Sequence, residues 1–229
     1  MLTDYIGSVL SAGWITFQLA LVSLALAVVL GLAGALCKRS EHRLLRVLAE
    51  IYTTLVRGIP DLVLMLLMFY SLPALLNQWI GAAGGRYSVD PSPFLSGSLT
   101  LGVIFGAYMT ETFRGALEGI PHGQLEAAQA YGLGRVKTLR SIILPQMVRL
   151  ALPGFTNNWL VLVKATALVS LIGLQDIMFR AKGAAEATGK PFTFYLLAGG
   201  FYLLIAVLSL ILVGWLGKRY SQGVRELAR

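Results

Sequence analysis

Apolar positions along this chain gather into five runs, at about residues 12–36, 60–76, 97–117, 150–174 and 192–216, with polar positions collected between them. Each run falls in the roughly 17–25 residues that carry an α-helix across a bilayer. The pattern therefore predicts an all-α polytopic membrane protein with five transmembrane helices. The second run is approached by an amphipathic stretch, 48–56, and then by Gly58-Ile59-Pro60-Asp61, where Pro60 suits a first helical turn and Asp61 its positive end. The third carries Gly102 and Gly106, a small-xxx-small pair that lets helices pack closely. The fourth is interrupted by Pro153-Gly154 and Asn157-Asn158, and Lys164 lies in its middle. Residues 77–96 and 175–191 read as polar connecting segments.

Composition agrees. Of 229 residues, 56% are hydrophobic and only 13% charged, against about 25% charged in soluble domains; mean hydropathy is +0.72. The chain reads as one membrane domain, 1–229, with a core at about 12–216. Its net charge of +8 raises the question of nucleic acid, but no basic–aromatic motif is present and the basic residues cluster at span ends. Fourteen of the 19 lysines and arginines fall in the first inner loop, in 114–149 and in the tail, and four in the segments opposite. The positive-inside bias predicts an N-out, C-in chain. An acid and no early Lys or Arg precede the first span, which predicts an anchor rather than a removed leader. With one cysteine, Cys37, and two distant histidines, His42 and His122, neither an internal disulfide nor a zinc site is expected.

One polar segment stands apart. EAAQAYGLGRVKTLRSIILP, residues 126–145, lies between two spans and reads as a helix–turn–helix. Gly132 and Gly134 offer positive φ for the break, and Pro145 is expected to end or kink the second helix. Glu126, Ala127, Ala128, Gly132, Ile142, Leu144 and Pro145 fit Glu-Ala-Ala, three residues, Gly, nine residues, Ile, one residue, Leu-Pro. This resembles the EAA loop of the membrane subunits of ABC-type importers. YTTLVRGIPDLVLMLLMFY, GAYMTETFRGALEGIPHGQLEAA and LPGFTNNWLVLVKATALVSLIGL resemble the Q-type permease subunit of polar amino-acid uptake systems, nearest to those for histidine, lysine, arginine and ornithine and their opine-uptake relatives.

The resemblance implies a type I ABC importer permease fold in a bacterial inner membrane. It implies a second, M-type permease in a heterodimer, two ATPase subunits that hold the ATP and magnesium, and an external substrate-binding protein. The chain itself would need no cofactor and catalyse nothing. The seven EAA positions would couple to the ATPase, with the small alanines admitting a close partner surface. Arg135, Lys137 and Arg140 would pair with partner acids or anchor to anionic lipid.

Lys164 at mid-span costs about 2.5–3.5 kcal/mol to insert and is expected on a polar path or against an acid. Asn157, Asn158, Lys164 and Thr166 are candidates to line a translocation route for polar, basic amino acids, with Glu111 as a contact for a cationic side chain. The reading preferred for Glu111 is a pair with Arg114, three residues on, that stiffens the span leading into the loop. Gly183–Pro191 is spaced loosely like a phosphate loop, but five residues separate its glycines and Pro191 replaces the Ser or Thr that would hold magnesium; it is read as a flexible outer loop. Two rivals remain at this point. An ion-driven secondary transporter would call for an inverted repeat, which is not visible. A scaffold that docks an ATPase without conducting would leave Lys164 unexplained.

Overall fold

The computed structural model describes residues 2–83 and 87–220, so the tail arginines beyond Tyr220 and Arg86 lie outside the described residues. Among the described residues eight helices follow one another: α1 Leu2–Lys38, α2 Arg43–Gly58, α3 Asp61–Ala82, α4 Pro93–Glu118, α5 His122–Ala130, α6 Arg135–Ile172, α7 Ile177–Thr188 and α8 Pro191–Tyr220. No strand occurs among the described residues. Helices α1, α3, α4, α6 and α8 are long and apolar enough to cross a membrane, matching the five runs read from the sequence.

The helices outrun their apolar runs, and prolines do not stop them. Pro145 neither ends nor breaks α6: a π-turn, Leu139–Ile143, immediately precedes it and the helix continues through Ala165. A proline has no N–H to bond back four residues, and its ring presses on that carbonyl; one wide turn takes up both defects. The π-turn Leu67–Ser71 does the same before Pro73 in α3. Pro153 lies inside α6, so the interruption read at Pro153-Gly154 is absent. The backbone changes later, at Thr166–Ile172, which is wound as a 3₁₀ helix. Likewise 177–188 is α-helix rather than a flexible loop: Asp176 caps its start and Gly189 closes it at φ 66°.

The core lies where α1, α4 and α6 meet, around Leu19, Ala27, Leu101, Phe105, Met109, Phe113, Leu162 and Val163. Glycines set the approach of α1 to α4. A Cβ on Gly106 would fall 2.8 Å from Leu30 Cβ, and one on Gly31 would fall 2.5 Å from Met109 Cβ. A second core seats α7 between α1 and α8, through Val9, Ile177, Ala181 and Phe194. Helix α2, which contains the amphipathic stretch 48–56, packs on α4. The Tyr52 hydroxyl donates to the Val103 carbonyl at 2.6 Å, and the Arg57 guanidinium lies 5.4 Å from the Tyr108 ring centre.

Candidate functional site

Helix α5 and the start of α6 form the expected hairpin. Leu133 N–H bonds to the Ala128 carbonyl and Gly132 N–H to that of Gln129, both at 2.9 Å. These are the two bonds of a Schellman motif, and Gly132 supplies its left-handed residue at φ 68°. Gly134 does not share that role: it is extended, φ −65° and ψ 155°, and starts α6.

Glu126 and Ala127 are exposed, but Ala128 is 2% exposed and turned into the chain, which corrects its expected place on a partner-facing surface. Helical periodicity sends it to the side opposite Glu126. Ile142 and Pro145 are half-buried and Leu144 is exposed. Sequence reading missed the apolar side chains that the hairpin holds outward: Tyr131 at 85% exposure, Val136 at 67% and Leu139 at 51%. They flank the exposed Arg135, Lys137 and Arg140. The signal was an apolar residue at nearly every turn of a segment otherwise read for its charges.

At the same end of the bundle, Glu111 accepts from Arg114 Nε at 3.0 Å and also pairs with Lys38 Nζ at the end of α1. Arg114 in turn donates to both oxygens of Glu118 at 2.8 Å. Glu111 is thus held between two cations within its own chain. The Arg114 pairing was legible at helical spacing; the Lys38 pairing was not.

The route candidates divide. Asn157 and Lys164 are exposed, seven residues apart on one face of α6, and Lys164 has no ion-pair partner among the described residues. It lies in the last α-helical turn before α6 tightens to a 3₁₀ helix. Asn158 leaves that face and donates to Thr112 Oγ1 of α4 at 3.0 Å. Thr166 is fully buried, donates to the Val163 carbonyl at 2.7 Å and lies 3.5 Å from the Tyr202 hydroxyl. Neither reaches the exposed face, because the sequence places them 100° or more around the helix from Asn157 and Lys164.

Asp176, at the far end of α6, was read only as a charge in a polar segment. It is fully buried. Its Oδ1 accepts from Phe179 N–H at 2.9 Å, while Oδ2 has no hydrogen-bond partner among the described residues. Ile177 N–H beside it donates to Thr16 Oγ1 of α1 at 3.1 Å. Burial pushes the Asp176 carboxyl up to about 6, against the opposing pull of backbone N–H groups led by Phe179.

Residues 27–222 match the family described as binding-protein-dependent transport system inner membrane component. The chain is 46% identical over 226 residues to the histidine/lysine/arginine/ornithine transport system permease protein HisQ of Escherichia coli (strain K12), covering 99% of each. It is 38% identical over 200 residues to the octopine transport system permease protein OccQ of Agrobacterium tumefaciens (strain Ach5), covering 87% of this chain and 84% of that one. A crystal structure of an amino acid ABC transporter with histidines superposes with a TM-score of 0.79 at 26% identity, over 95% of this chain and 96% of that one.

Proposed function

This chain belongs to the family of binding-protein-dependent transport system inner membrane components, and on that premise we propose that it is the permease subunit through which an ATP-driven importer moves basic amino acids of the histidine, lysine, arginine and ornithine class. It is a transport subunit, homologous to permeases of amino-acid and opine importers. The whole of 1–229 acts as one membrane domain in a bacterial inner membrane. The N-terminus lies outside and the hairpin inside, as the excess of Lys and Arg at the hairpin end supports. A second, M-type permease, two ATPases and an external binding protein complete the machine.

The observation that carries this reading is the hairpin. Glu126, Ala127, Tyr131, Val136 and Leu139 stand exposed on a rigid double helix continuous, through Ile142, Leu144 and Pro145, with the membrane span α6. An ATPase seated on that surface moves α6 directly, because no loop intervenes. Ala128 serves as packing beneath the surface. Asn157 and Lys164 form the polar part of the route: an exposed lysine in a span, with no ion-pair partner among the described residues, calls for water or a partner subunit rather than lipid. Lys164 then takes the substrate carboxylate, and Asn158 holds α6 to α4 behind it. The likeness to the octopine permease favours a second substrate class, the opines, which pair an amino-acid head with a second carboxylate.

The test is to co-express the chain with its partner genes and assay ATP hydrolysis in liposomes with the binding protein. Arginine, lysine, histidine, ornithine, octopine, glutamate and glutamine are the ligands to compare. Stimulation by the four basic amino acids is expected. Stimulation by glutamate or glutamine alone would discard the substrate class, and purification without any ATPase would discard the coupling role.

A further inference from the structure

Beside the hairpin, between the end of α4 and the base of α6, lies a cavity of about 410 Å³ lined by Gly119, Pro121, Gln124, Gln146, Arg149 and Leu150. Gln146 spends its amide hydrogens within the fold, donating from Nε2 to Gln124 Oε1 at 3.3 Å and to the Ile142 carbonyl at 3.0 Å. Gln124 thereby has its oxygen engaged, and its N–H donors have no bonded acceptor among the described residues. The Arg149 guanidinium, half-buried, has neither an ion pair nor a hydrogen bond among the described residues. No Asp or Glu lines the cavity. Two donor groups without a bonded acceptor among the described residues, the exposed Gln124 carboxamide and a half-buried cation with a planar fork, therefore share one wall. A half-buried guanidinium with no acceptor from the protein can take an oxyanion in a charge-assisted, two-pronged pair.

We infer that this cavity is an oxyanion site, and that its ligand is a phosphate group held by Arg149 and the Gln124 carboxamide. Two sources carry that chemistry at the inner face of a bilayer: the headgroup of an anionic phospholipid, and free phosphate. Leu150, the next residue along α6 and exposed, sets apolar surface beside the cation, which is the arrangement a lipid headgroup and its acyl chain require. The site touches both Gln124 of α5 and Gln146 of α6, so an occupant bridges the two arms of the hairpin. It thereby stiffens the joint through which the ATPase acts.

The experiment uses the full transporter complex. Native mass spectrometry after equilibration with phosphatidylglycerol or phosphatidylcholine counts retained lipid, and calorimetric titration with inorganic phosphate reads the soluble source. Arg149→Gln should lower phosphatidylglycerol retention, or phosphate affinity, at least fivefold. Lys182→Gln, the same charge loss on α7, should change neither. Arg149→Lys keeps the charge and guards against a folding defect; losing the fork, it should bind several-fold more weakly than the unaltered complex. Selective loss of phosphatidylglycerol identifies the lipid source, and loss of phosphate heat alone identifies the free anion. Equal binding of both probes by the unaltered complex and both Arg149 variants overturns the site. So does an Arg149→Gln complex that sheds its ATPase while binding both probes unchanged, since Arg149 would then face the ATPase.

Discussion

Lys38 closes α1 and Glu111 lies two turns from the end of α4, 73 positions away, yet the two side chains meet as an ion pair with only 10% and 21% of their surfaces exposed. Removing one partner strands the other charge. Glu111→Gln should therefore lower stability by about 1.5–3 kcal/mol, the range of a charge-assisted hydrogen bond. The double exchange Lys38→Glu with Glu111→Lys should recover part of what either single change loses. Thermal unfolding of the detergent-solubilised complex measures both, and an exchange variant no more stable than the worse single change would refute the pair as a stabilising contact.

The two hairpin glycines should behave differently. Neither has a neighbour that an added Cβ would strike within 4 Å, so backbone conformation alone decides. Gly132 sits at φ 68°, where a non-glycine residue costs roughly 1–2 kcal/mol; Gly134 is extended at φ −65°. Gly132→Ala should cut ATP-dependent uptake several-fold with normal membrane levels, and Gly134→Ala should stay within about twofold. Equal effects would mean that the turn geometry does not carry the coupling.

Five spans and a hairpin were legible in the sequence because each depends on local content: a run of apolar residues, or a glycine between two helical segments. What escaped was set by neighbours distant in the chain. Pro145 looks like a helix end, and only the π-turn before it lets α6 begin at Arg135. Ala128 and Thr166 were chosen by motif and polarity, but packing turns both inward. Helix α7 was overlooked although its local signals were present, an aspartate cap at Asp176 and a glycine stop at Gly189 around an alanine-rich stretch. Its lysines and glycines were weighed as loop chemistry instead.

The approach of α1 to α4 makes a further distinction. A Cβ at Gly106 would stand 2.7 Å from the Tyr52 hydroxyl and 2.8 Å from Leu30 Cβ, whereas one at Gly115 meets nothing within 4 Å. Gly106→Ala should destabilise the protein by about 1–3 kcal/mol through overpacking, and it should also disturb the bond from Tyr52 to Val103. Gly115→Ala, in the same helix, should be neutral or stabilising by up to about 1 kcal/mol. Paired thermal melts separate them; a Gly106→Ala melt as high as that of Gly115→Ala would show that the helices part without cost.

Asp176 gives the fold a pH dependence of unusual sign. Its carboxyl is fully buried, and burial raises it from 3.8 to about 6 in the folded chain. The folded state therefore holds the proton more tightly than the unfolded state does. The stability this contributes is complete below about pH 4 and is lost as pH rises through about 6, the reverse of a salt-bridged aspartate. At about 1.4 kcal/mol per unit, the change across that window is on the order of 2–3 kcal/mol. Asp176→Asn keeps an oxygen for the Phe179 N–H and removes the titration, so its stability should not fall over pH 4–6.5 while that of the unaltered protein does. Denaturation of both proteins across that range gives the difference directly. Parallel curves would mean that the carboxylate is charged in the fold, with Oδ2 stabilised by a group that does not titrate.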